Sequence, residues 1–159
     1  MVLFYLDFWR LIMEKNKIEE LISKNSLRRR EIDFERVKSL LKSAEVTVKV
    51  VKNISLNDET ATTIFRELYE AIRQLGEAKW WLNGYEPYGL GSHGLALDIL
   101  KEFNVKNKVK LNYLDRFKKI RHDANYRGMF VSFSQAKELI EFWDSCGKEI
   151  LESIKKLMK

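Results

Sequence analysis

The segment LDRFKKIRHDANYRG, from Leu114 to Gly128, holds the side chains best equipped for chemistry in this chain. An arginine guanidinium is a rigid fork of N–H donors that fits a phosphate, and tyrosine adds a ring face for stacking and a hydroxyl. Arg121, Asn125, Tyr126 and Arg127, with Lys118 and Lys119 one turn earlier, therefore form a candidate site for a phosphate, a nucleotide or RNA. His122 adds a group able to move a proton, with Arg116 or Arg121 as the phosphate-holding partner. A purely structural reading stands beside these. In it Arg121 pairs with Asp123 or with a carboxylate on another helix, and Tyr126 fills the end of a helical bundle.

The surrounding charge favours an acidic guest. The net charge is +6 and the pI about 9.3. Lys106, Lys108, Lys110, Arg116, Lys118, Lys119, Arg121 and Arg127 crowd the stretch 104–127, against Asp115 and Asp123 alone. A solvated helix face would show the same pattern. His93, after Gly91-Ser92, is expected to cap or brace a loop. Two histidines and one cysteine in no metal-ligand spacing leave no metal and no cofactor to expect. Cys146 is expected to be a buried, inert thiol, and a chain without a disulfide fits a reducing cytoplasm.

The elements that must position these groups are helical. One proline and seven glycines suit long helices better than tightly turned sheets. Phe34, Val37, Leu41, Ala44, Val48 and Val51 recur at steps of three and four, which predicts a helix over about 32–53. Ala61, Ile64, Leu68, Ala71, Leu75, Ala78 and Leu82 predict a second, ending near Asn83-Gly84. Trp80 and Trp81 face different ways, so at least one must cover another element. GYEPYGLGSHG, with the only proline and four of the glycines, is a loop, and Ser92 is expected to cap a shorter helix carrying Leu95, Ile99 and Phe103. A helix from about Leu111 buries Leu114 and Phe117. Ser132 and Gln135 form a capping box for a last helix with Ala136, Ile140, Trp143, Gly147, Ile150, Ile154 and Leu157 on its stripe, the glycine admitting a neighbouring helix. The expected fold is all-α, an antiparallel up-and-down four-helix bundle with an extra short helix. Residues 31–159 form that domain and residues 1–30 a helical N-terminal extension, in which Arg28, Arg29 and Arg30 read as a solvated helix end. The opening MVLFYLDFWRLIM is interrupted by Asp7 and Arg10, which argues against a signal peptide or a membrane span. Met13 is an alternative start.

Two blocks resemble the HEPN superfamily, in its branch of small prokaryotic proteins encoded beside minimal nucleotidyltransferases. LYEAIRQLGEAKWWLNGYEPYGLGSHGLALDIL looks like that family's long helix, Gly-Tyr-x-Pro loop and Ser-His-Gly helix start. LDRFKKIRHDANYRGMFVSFSQAKELIEFW looks like its arginine-bearing helix end, Ala-Asp/Asn-Tyr segment and Ser-capped last helix. The resemblance implies a helical bundle that pairs into a homodimer, and a place in a toxin–antitoxin-like or defence system. There it would serve as a nucleotide- or RNA-binding module or as a nucleotidyltransferase partner. In many members it implies a metal-independent RNase leaving a 2′,3′-cyclic phosphate, with an Arg followed after four to six residues by a His. Arg116 and His122 satisfy that count. Alternatively Arg121 is the family arginine, His122 fills the polar position after it, and Tyr126 stands where the catalytic His would be. A tyrosine, with an ordinary pKa of about 10, is a weak base near neutral pH, so this second placement favours binding over cleavage.

Overall fold

The computed structural model describes residues 14–159. The aromatic run 1–13 and the alternative start at Met13 lie outside the described residues. Residues 14–23 are helical (α1) and lead into strand β1, Leu27–Arg29. Helices α2, Phe34–Val51, and α3, Ala61–Leu82, follow, then strand β2, Tyr85–Pro87, and helix α4, Ser92–Leu100. A 3-10 turn, Lys108–Asn112, runs into α5, Tyr113–Tyr126. Helix α6, Phe133–Phe142, continues through a π-helical turn, Trp143–Gly147, into α7, Lys148–Leu157.

The chain is predominantly helical, as its composition predicts. α3 is the hub, packing against α2, α4, α5, α6, α7 and β2. A helix touched from so many sides needs more than one apolar stripe. Phe65, Tyr69, Ile72, Trp80 and Trp81 are buried in addition to the predicted row. Trp81 joins the main core, while Trp80 joins a smaller cluster with Leu27 and Ile99 and donates from Nε1 to the Leu95 carbonyl at 2.8 Å. The predicted apolar residues of α2 are buried except Phe34, which sits at the helix start and is 47% exposed.

The structure corrects four local expectations. Arg28 and Arg29 belong to a strand rather than a helix end, because β1 pairs antiparallel with β2, Leu27 opposite Pro87, and Arg30 N–H continues to the Gly84 carbonyl. Ser92 is the first residue of α4 and not its cap. Gly91 holds that place with φ +89°, a left-handed conformation open to glycine at little cost. The last helix is interrupted. Ser145 Oγ donates to the Glu141 carbonyl at 2.8 Å, the kind of side-chain bond that competes with the helical ladder, and the π turn resets the stripe to Ile150, Leu151 and Ile154 with Leu157 exposed. Gly147 makes room for an indole within its own helix, since a Cβ there would lie 2.6 Å from Trp143. The glycine that admits a neighbouring helix is Gly76, whose Cβ would stand 1.7 Å from the Ala96 carbonyl oxygen on α4. The capping box at Ser132 forms in full.

Among the described residues, no helix is long and apolar enough to cross a membrane. No group of three metal-ligating side chains occurs among them either. Cys146 is buried, and burial pushes its thiol above its ordinary pKa.

Candidate anion-binding cleft

The close approach at Gly76 sets the position of α4 against α3, and α5 packs beside both. The seam between the start of α4 and the exposed face of α5 is a cleft of about 790 Å³. Gly91, Ser92, His93 and Gly94 form one wall, Lys118, Arg121, His122 and Tyr126 the other, and Tyr69 of α3 lies between them. The two segments richest in chemistry, well separated in sequence, thus meet in space.

Each wall has a local cause. Leu114 and Phe117 bury the inner face of α5, and Phe117 meets Phe65 and Phe142 edge-on, with centroids 6.1 and 5.4 Å away. Lys118, His122 and Tyr126, spaced at four, then line up on the outer face. The rings of His122 and Tyr126 lie 4.9 Å apart, and Tyr126 is 70% exposed, so one aromatic face is open to a guest. On the opposite wall no side chain caps α4, whose first turn lines the cleft and carries the positive end of the helix dipole, Ser92 N–H donating to the Gly89 carbonyl at 3.3 Å.

Arg121 is half-buried, its guanidinium 5.6 Å from the centroid of the Tyr69 ring. Neither Arg121 nor Lys118 forms an ion pair among the described residues, whereas most neighbouring charges are spent. Lys119 binds Asp123 at 2.8 Å, which holds that carboxyl below its usual range. Asp115 is bound by Lys101 at 2.8 Å, and Arg127 lies 3.7 Å from Asp123. Lys118 Nζ lies over Gly94, 2.9 Å from where a Cβ would stand. Tyr69 is buried, and loss of hydration pushes its phenol up to about 12 against the pull of Arg121 and Arg73.

The structure therefore brings together Lys118, Lys119, Arg121, His122 and Tyr126 from the predicted set. Arg116 stands outside the cleft. It pairs with Glu138 on α6 and lies over the Tyr113 ring at 4.7 Å. Asn125 and Arg127 are exposed at the end of α5 without lining the cleft. Of the two arginines weighed as the phosphate-holding partner of His122, Arg121 lines the same cavity and Arg116 does not.

Two cleft residues are not legible as such in the sequence. Tyr69 lies off the predicted stripe of α3, and its being aromatic and out of phase is the only available signal. His93, by its place after Gly91-Ser92, points to a bracing role. Instead its Nδ1 is buried with no hydrogen-bond partner among the described residues, and its ring lines the cleft. Burial, then the nearby guanidiniums of Arg73 and Arg121, hold the His93 imidazole below its ordinary pKa. Comparison with protein-family models, with curated proteins and with solved structures finds no match to this chain.

Proposed function

We propose that this chain is a HEPN-like module that binds the phosphate of a nucleotide or of RNA in the cleft between α4 and α5. The observation that carries this reading is Arg121, a half-buried cation with no carboxylate partner among the described residues, placed across from an uncapped helix start. Lys118 supplies a second unspent charge, and the His122–Tyr126 pair offers a stacking surface where a base attached to that phosphate would lie. A cavity of this size suits a mononucleotide. In the fuller form of the proposal the helices make an antiparallel four-helix bundle that pairs into a homodimer and partners a minimal nucleotidyltransferase in a toxin–antitoxin-like or defence system of the cytoplasm.

Titration of fluorescent single-stranded RNA and of ATP at two salt concentrations tests the binding. The expected result is saturable binding that weakens with salt and is lost in Arg121→Ala. No binding by the native chain at low salt would remove the reading.

The presence of His122 in the same cleft as Arg121 favours a second reading, a metal-independent RNase. Arg121 would steady the phosphate while His122 moves protons as the 2′-hydroxyl attacks phosphorus and the P–O5′ bond breaks, leaving a 2′,3′-cyclic phosphate and a 5′-hydroxyl end. Cleavage of total RNA in EDTA by the native chain, abolished in His122→Ala, is its signature. Equal cleavage by both would dismiss His122 as the catalyst.

A further inference from the structure

Resting on the reading of the cleft as a phosphate site, we propose that His93 is its second arm, a residue that takes up a proton as a phosphate oxyanion binds between it and Arg121.

The charges around His93 are out of balance. The groups that act on it are Arg73, Glu70 and Glu77 of α3 and Arg121 of α5, with Tyr69 of α3 and Lys118, Lys119, His122, Tyr126 and the Lys101-bound Asp115 of α5 lining the same cleft. Arg73 is locked between Glu70 and Glu77, at 2.6 and 2.8 Å, so these carboxylates largely spend their charge on it. Arg121 and Lys118 are left uncompensated among the described residues. Without a bound anion, a protonated His93 would add a further positive charge beside Arg121, in a partly desolvated position, with Nδ1 lacking an acceptor. The imidazole is accordingly neutral at neutral pH, the direction in which burial and both guanidiniums drive it.

An oxyanion seated in the cleft reverses the charge imbalance. Its charge offsets Arg121, and the imidazolium donates to it through Nε2, Nδ1 being buried. Anion and proton then favour one another, and linkage requires that each tighten the other. The depressed pKa fixes the sign. His93 of the free protein charges only below its ordinary range, the complex charges at higher pH, and affinity therefore rises as pH falls between the two. One linked proton gives at most about a tenfold gain in affinity per pH unit.

The dinucleotide UpU is a suitable probe, because its single phosphodiester keeps one charge from pH 5 to pH 8. Uridine 5′-monophosphate, used beside it at pH 8, distinguishes an internal from a terminal phosphate as the preferred guest. Calorimetric titration of the native chain with UpU in two buffers of different ionisation heat should show net proton uptake near pH 6. The Kd should be several-fold tighter at pH 5.5 than at pH 8. His93→Gln, checked for fold by circular dichroism, should lose both the proton uptake and the tightening, so that its Kd for UpU no longer falls between pH 8 and pH 5.5.

A pH-independent Kd and zero proton uptake in the native chain would overturn the role of His93 while leaving the phosphate site standing. That role is overturned equally if His93→Gln retains the tightening. Failure of the native chain to bind UpU, uridine 5′-monophosphate or RNA at any pH would remove the site itself.

Discussion

Arg121 lies against the Tyr69 ring with no counter-charge among the described residues, and the proposed phosphate site requires that setting. Its contact with Tyr69 is of the cation–π type, which contributes about 0.5–1 kcal/mol at a partly exposed site. Arg121→Ala should therefore change the free energy of unfolding by no more than about 1 kcal/mol while weakening RNA binding at least about tenfold, measured by urea denaturation and fluorescence anisotropy. A large loss of stability with binding intact would identify Arg121 as a bundle-end brace. Tyr69 makes a pH-dependent prediction. Its phenol is pushed up to about 12 in the folded chain and ionises near 10 when unfolded, so the unfolded state gives up the proton first. The resulting contribution to stability is present below pH 10 and is lost as pH rises from 10 through 12. Denaturation midpoints of the native chain should fall more steeply across that window than those of Tyr69→Phe.

At the scale of elements, the cleft depends on how closely α4 can lie on α3. Gly76 sets that distance, because any Cβ there would collide with the backbone of Ala96, and backbone cannot rotate aside as a side chain can. Gly76→Ala should destabilise the fold by about 2–3 kcal/mol or more, read as a drop in the urea midpoint, and should weaken RNA binding by moving the start of α4 away from Arg121. Unchanged stability would mean that α4 does not approach α3 this closely. The helix stripes are legible in sequence because an apolar face repeats every three to four residues wherever one side of a helix is covered. That rhythm places α2, α3 and the inner face of α5. It cannot show that α3 is covered on most sides, nor that Ser145 interrupts the last helix, since neither depends on local periodicity. The strand pair is equally invisible. Three residues are too few for an alternation, and β1 exists only because β2 lies beside it.

For the whole molecule, the positive charge matters through where it is left unspent. Arg116, Lys119 and Arg127 of the 104–127 stretch are ion-paired, and Lys118 and Arg121 are the cations lining the cleft that form no ion pair among the described residues. RNA binding should accordingly show a modest salt dependence, with log K falling against log salt at a slope of roughly −1.5 to −2, as two or three phosphate contacts give on a single strand. A slope several times steeper would point to a diffuse basic surface in place of one cleft. The amino-acid sequence by itself determined the helical class, the main apolar stripes, the capping box at Ser132 and the segment in which reactive groups concentrate. All of these follow from residue type and spacing along the chain. Only the tertiary structure decided that Arg121 faces the cleft while Arg116 is tied to α6, and that His93 and Tyr69 complete the cavity. Those outcomes depend on which helix lies against which. That is settled by packing at Gly76 and by the burial of Phe117, through contacts between residues far apart in the chain.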